Sequence, residues 1–185
     1  MLEVLKVQRL FVGIELPASV QQVLETVRTD YPSARWHPAR AMHVTLSFIG
    51  IVDQATSARM AAALADLPAA ELELAIRGVG YFGSEARPTV LWAGVEASRP
   101  LLGLQQLVEQ RLVAVGLVAD ERPYQPHVTL ARVKSGADAL QDFLAQYADL
   151  VLPTFPVAEV CLYVSRGGSA GVEYEVIERF SLLKR

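Results

Sequence analysis

The sequence predicts an α+β protein, on three observations. Helix-like and strand-like segments are mixed along the whole chain, several strands follow one another with no helix between them, and one string, His-Val-Thr-Leu, occurs once in each half. Strands joined without an intervening helix pair antiparallel, which favours α+β over a doubly wound parallel sheet.

The elements follow in order. Leu10, Val12 and Ile14 alternate as in a first strand. The opening MLEVLKVQRLFVGIELP carries Glu3 and Glu15 and no small-residue cleavage site, so it reads as that strand and not as a signal peptide; the expected location is the cytoplasm. After Pro17, the residues Val20, Val23, Leu24 and Val27 place an apolar stripe on a helix. His37, next to Pro38 in RWHPAR, reads as a structural or solvated loop residue, with Trp36 as a packing group. The alanine-rich run after Asp53 is helix-like with a weaker stripe. Leu72, Leu74 and Ile76 alternate with Glu71 and Glu73, and Thr89 to Val95 follows, so 71–82 and 89–95 predict an antiparallel pair. Leu101, Leu104, Val108 and Leu112 mark a helix after Ser98 and Pro100 that Gly116 ends. Leu140, Phe143, Leu144 and Tyr147 mark the last helix, and 157–164 with 172–182 predict a second antiparallel pair.

Composition narrows the class. Hydrophobic residues make up 52% and charged residues 20%, the latter spread along the chain, and no run of eighteen apolar residues occurs. That fits a folded domain, here 1–185, with no membrane partner, and a monomer is expected. A net charge of −3 excludes the broad basic footprint of a protein that coats nucleic acid, so any RNA contact should be local. The single cysteine, Cys161, rules out an internal disulfide and a thiolate metal cluster, and it reads as a buried small hydrophobe. There is no glycine-rich phosphate loop and no Gly-x-Ser-x-Gly string.

The repeat carries the chemistry. His43-Val44-Thr45-Leu46 recurs as His127-Val128-Thr129-Leu130, 84 positions on (43 to 127). Chance recurrence of Val-Thr-Leu after a given histidine is on the order of one in a thousand or rarer, so duplication is the better explanation. In a strand, positions i and i+2 share a face, so each string presents an imidazole beside a hydroxyl while Val and Leu point the other way. Two such strands could surround one small anion. Displacement at phosphorus needs a base and an acid on opposite sides, and histidine can serve as either near neutral pH. The threonine hydroxyls can donate to the non-bridging oxygens. No metal or cofactor is required, and two histidines without a neighbouring carboxylate make a poor metal site.

Two further residues stand five positions beyond a histidine. Arg132 could give a bidentate contact to phosphate, and Phe48 could stack a base at the cleft edge, with core packing as its default. At an odd offset both would face away from the histidines in a regular strand, unless a bend redirects them. Arg40 and Arg122 could add local positive charge, and Tyr124 reads as packing.

On these residues the sequence resembles the two-histidine (2H) phosphoesterases, specifically the RNA 2′,3′-cyclic phosphodiesterases first described as bacterial 2′-5′ RNA ligases. The resemblance spans nearly the whole chain: RLFVGIELP at 9–17, MHVTLSFIG at 42–50, PTVLWAGV at 88–95, ERPYQPHVTLAR at 121–132 and GVEYEVIERFSLLKR at 171–185. It implies a bilobal fold of two pseudo-twofold-related lobes, with antiparallel sheets flanked by helices and one His-x-Thr strand from each lobe at a central cleft. It also implies metal-independent hydrolysis of RNA 2′,3′-cyclic phosphate ends to 2′-phosphomonoesters, with 2′-5′ ligation as a minor reverse activity. By carry-over His43 is the proton donor, His127 the proton acceptor, and Thr45, Thr129 and Arg132 hold the phosphate. Ser47 stands where relatives often carry a basic residue and Gln125 where many carry Arg, so positive charge near the strings is reduced. Other substrates fit the same site, namely a small cyclic nucleotide or an ADP-ribose cyclic phosphate. A non-catalytic module that binds RNA ends is the alternative of a different class.

Overall fold

The computed structural model describes residues 7–68, 72–168 and 171–182. Fourteen regular elements follow in the order β1 (Gln8–Glu15), α1 (Ala18–Glu25), β2 (Ala34–Trp36), β3 (His43–Val52), α2 (Gln54–Leu64), β4 (Glu73–Leu74), β5 (Ile76–Ser84), β6 (Arg87–Val95), α3 (Arg99–Ala114), β7 (His127–Val133), α4 (Leu140–Gln146), β8 (Phe155–Pro156), β9 (Glu159–Gly168) and β10 (Gly171–Ser181), with a short 3-10 turn at Ala39–Ala41. All four predicted helices are present. Two of them start on a side-chain cap: the Asp53 carboxylate accepts from the Thr56 N–H at 2.7 Å before α2, and the Ser98 hydroxyl accepts from the Leu101 N–H before α3. Gly116, at φ +111°, takes the left-handed conformation just past α3 that a side chain would resist.

The helical stripes are buried as their spacing requires. Leu101, Leu104, Val108 and Leu112 of α3 lie in the core, as do Val20 and Leu24 of α1. Val23 departs from its predicted stripe and is 46% exposed. No described helix is long and apolar enough to cross a membrane.

The strands form one antiparallel sheet in the order β10-β9-β1-β3-β7-β6-β5, with β2 added against β7, and a separate small ladder of β4 with β8. The predicted antiparallel pairs, β5 with β6 and β9 with β10, are both present. Strand-helix-strand-helix occurs twice, as β1-α1-β3-α2 and β6-α3-β7-α4, each with its two strands adjacent. Their strands β3 and β7 meet edge to edge through one residue pair, Val44 with Val128. The lobes therefore share one continuous sheet rather than holding separate ones.

Three expectations change in detail. The strand predicted from residue 71 is split at Ala75 into β4 and β5, and Glu71 lies outside the described residues. The closing segment is strand to Ser181, and residues 183–185 lie outside the described residues, as does Glu3. Ala34–Trp36, where no strand was expected, is a strand paired with Ala131–Val133, and the N–H of His37, read as a loop residue, continues it by donating to Leu130 O at 2.8 Å. Three residues are too few for periodicity to show. The pairing exists because β3 diverges from β7 and leaves that edge open.

Candidate active site

Paired residues of an antiparallel ladder share a face of the sheet. Val44 and Val128, the pair that joins the halves, are both fully buried in the core. Their neighbours His43, Thr45, His127 and Thr129 therefore all project from the opposite face. Because the strands run antiparallel, His43 lies toward the Thr129 end and Thr45 toward the His127 end.

Both strings are followed by the same irregularity. Along β7, Trp92 and Leu91 of β6 oppose Thr129 and Ala131, which leaves Leu130 as an extra, bulged residue. Along β3, Gly13 and Val12 of β1 oppose Thr45 and Ser47, which leaves Leu46 extra. The bulge thus falls on the leucine of each His-Val-Thr-Leu string, and it reverses the alternation beyond that point. Leu130 and Ala131 are both buried, and Arg132 returns to the histidine face, where it lines the cleft. Phe48 is opposite Phe11, on the same face as Gly13 and Thr45, and is 65% exposed rather than packed in the core.

The imidazoles are held alike. Nδ1 of His43 meets the Ala41 carbonyl at 2.9 Å, and Nδ1 of His127 meets the Gln125 carbonyl at 2.7 Å, in each case two residues earlier. A carbonyl only accepts, so Nδ1 carries the proton and the neutral ring keeps its lone pair on Nε2. His43 Nε2 accepts from the Thr45 hydroxyl at 3.1 Å. Tyr124, read as packing, donates its hydroxyl to Thr45 O at 2.9 Å and so ties the second half to the first string.

The surroundings of the two rings differ. His43 stacks on Phe11 (centroids 4.6 Å, 29°), takes the edge of Tyr174 (4.9 Å, 84°) and lies 5.5 Å from Tyr163. His127 meets Phe82 edge-on at 4.8 Å and Trp92 at 6.4 Å. Burial holds the His43 pKa down at about 4 against the opposing pull of the Ala41 carbonyl, with smaller lowering effects from His37 and His127. Burial also lowers His127, again opposed by its carbonyl partner. Both rings are thus held below the ordinary histidine value.

A cleft of about 830 Å³ opens between the halves, lined by Thr45, Ser47, Phe48, Tyr124, Gln125, His127, Thr129 and Arg132 among others. His43 does not line it; the ring is recessed among the aromatic rings and meets the hydroxyl of Thr45, which does line the cleft. Arg122 lines the cleft but adds no net charge there, because Asp120 takes its guanidinium at 2.6 and 2.9 Å. Arg40 stands on the 3-10 turn, exposed and outside the cleft lining.

Residues 16–169 match the 2′-5′ RNA ligase superfamily. The chain belongs to that superfamily. The RNA 2′,3′-cyclic phosphodiesterase of Thermus thermophilus is 32% identical over 188 residues, covering 94% of this chain and 90% of that protein. A Geobacillus stearothermophilus protein of the same name is 29% identical over 179 residues and 94% of this chain, which spans 57% of that relative's length. Escherichia coli LigT, in its crystal structure with 3′-AMP, shares the fold at a TM-score of 0.79 and 24% identity, covering 97% of this chain and all of that one.

In this superfamily member the sequence reading missed the aromatic groups around the histidines and one more polar group. His37, read as a loop residue, stands beside the site: its ring stacks at 6.4 Å on the same Tyr174 that touches His43. Burial first, then Arg132 and Arg35, lower its pKa to about 4. Phe11, Tyr163 and Tyr174 come from three different strands, and nothing local marks the two tyrosines. Phe11 had one usable signal, its alternation with Gly13 on one face of the first strand.

Proposed function

We propose that this protein hydrolyses RNA 2′,3′-cyclic phosphate ends to 2′-phosphomonoesters by paired-histidine acid-base catalysis, as one unit over residues 1–185 with one string from each half. The observation that carries the reading is the meeting of both His-x-Thr strings on one sheet face across Val44 and Val128, with both Nδ1 atoms tied to carbonyls. The names of relatives that act on RNA 2′,3′-cyclic phosphates support it. A cytoplasmic monomer belongs with the same reading.

His127 takes a proton from water through Nε2 as the water oxygen bonds to phosphorus. The bond from phosphorus to the 3′-oxygen breaks, and His43 gives that oxygen a proton. Thr45 and Thr129 donate hydrogen bonds to the non-bridging oxygens, and Arg132 offers its planar fork to the same anion. Phe48, exposed at the cleft edge, stacks the terminal base. The acid must first gain its proton, and the bound anionic phosphate supplies the field that raises the imidazole pKa. Since burial holds His43, the assigned acid, down at about 4, exchanged roles are the second reading.

One experiment with two substrates tests both. A short RNA with a 2′,3′-cyclic phosphate should yield only the 2′-phosphate; a 3′-phosphate, or no product from folded protein, contradicts the activity. A cyclic analogue with sulfur at the 3′ position has a leaving group that needs no proton, so it should restore turnover in His43→Ala and not in His127→Ala. Rescue of His127→Ala alone assigns the exchanged roles.

A further inference from the structure

We propose that Tyr124 is a positioning residue for the first string: its hydroxyl, seated on the Thr45 carbonyl, fixes where the Thr45 hydroxyl stands between His43 and the phosphate. The role serves one of the two strings. It rests on the functional reading above for the phosphate contact, but not for the contact with the imidazole.

Thr45 stands where the sheet is weakest. Val44 with Val128 is the single β3–β7 pair among the described residues, so Thr45 lies one residue past the end of that ladder. On its other side Thr45 is opposite Gly13 of β1, and the bulge at Leu46 breaks that ladder directly after it. The Tyr124 hydroxyl, 79 positions away in sequence, reaches the Thr45 carbonyl at 2.9 Å beside this break. Its ring packs against the core and lines the cleft, and burial pushes the phenol above its ordinary value, so it stays a donor throughout the histidine range. The segment that carries Tyr124, between α3 and β7, is held in turn at Asp120, whose N–H donates to the Glu109 carboxylate of α3 at 3.2 Å. The residue three places before His43 is Arg40, exposed and outside the cleft lining, so the first half does not repeat the tie for Thr129.

The position of Thr45 matters because its hydroxyl has two uses. It donates to His43 Nε2 at 3.1 Å, onto the lone pair with which that ring takes up a proton. A protonated Nε2 has no lone pair to offer, so charging His43 frees the hydroxyl proton for a non-bridging phosphate oxygen. Both contacts depend on one backbone position, and a shift of a fraction of an ångström weakens both at once. Removing the Tyr124 hydroxyl takes this donor from the Thr45 carbonyl while the ring keeps its packing.

The test places Tyr124→Phe, which keeps the ring, in three backgrounds: wild type, Thr45→Ala and Thr129→Ala. In the free protein at neutral pH, nitrogen NMR of the imidazoles should show the His43 Nε2 signal of Tyr124→Phe displaced towards that of Thr45→Ala, with the His127 Nε2 signal in place. With a nucleoside 2′,3′-cyclic phosphate, Tyr124→Phe should lower kcat/KM about tenfold in wild type and in Thr129→Ala. In Thr45→Ala it should cost less than about twofold, because a contact already lost cannot be lost again. An unmoved His43 signal, or an equal loss in all three backgrounds, overturns the positioning role; an equal loss is what a general loosening of the fold would give. If folded wild type turns over no cyclic phosphate, the hydrolase reading fails by itself, and the His43 signal alone decides the role of Tyr124.

Discussion

The two imidazoles share their anchor, a carbonyl two residues earlier, and differ in what covers them. His43 is enclosed by Phe11, Tyr163 and Tyr174, while His127 lines the open cleft against Phe82 and Trp92. Burial lowers both pKa values below the ordinary histidine value of about 6.5. The sign for activity follows directly. On the proposed mechanism the active form of the free protein carries one proton on the pair, so it is most populated between the two apparent pKa values and declines as pH rises through the upper one. kcat/KM, which reports the free protein, should therefore have its alkaline limb below about 6.5. Bound phosphate raises both values, so the kcat profile should lie to the alkaline side of the kcat/KM profile. An alkaline limb of kcat/KM above pH 7 would contradict the lowered imidazole pKa values.

At the scale of elements, the two bulges decide the site. Without Leu46 and Leu130 as extra residues, Phe48 and Arg132 would face the core side. The histidines and threonines were legible in the sequence because a strand displays i and i+2 together and the string is repeated. The bulges were not, since a bulge is a relation between two paired strands and leaves no mark on one of them. β2 was hidden for a similar reason: its pairing depends on an edge that β3 leaves open. Strand β6 gives an element-level prediction. Trp92 lies across its partner Gly80, where an added Cβ would collide with the indole, and the same ring packs near His127. Gly80→Ala should cost about 1–3 kcal/mol in urea unfolding, the usual range for overpacking, and should shift the tryptophan fluorescence. An unchanged midpoint together with an unchanged spectrum would mean that Trp92 is not held by this glycine.

Over the whole molecule, each half contributes a strand-helix-strand-helix unit with one string, and β3 meets β7 at the pair Val44 with Val128 beneath the site, with β2 against β7 and Tyr124 on Thr45 as further ties between the halves. Fold class, helices and the paired strings were readable because each rests on periodicity or repetition within a short span. The recess around His43 was not, because it is assembled from β1, β9 and β10, which are far apart in sequence. On the proposed function the two halves supply one catalytic unit. The most direct measurement is the turnover of a short RNA 2′,3′-cyclic phosphate by wild type, His43→Ala, His127→Ala and the double variant, with product binding measured in parallel. Each single variant should lose about two orders of magnitude or more and the double variant little beyond that, because groups that act as a unit are not additive, while product binding changes little. Single losses of only a few-fold, or losses that multiply in the double variant, would contradict a shared acid-base pair.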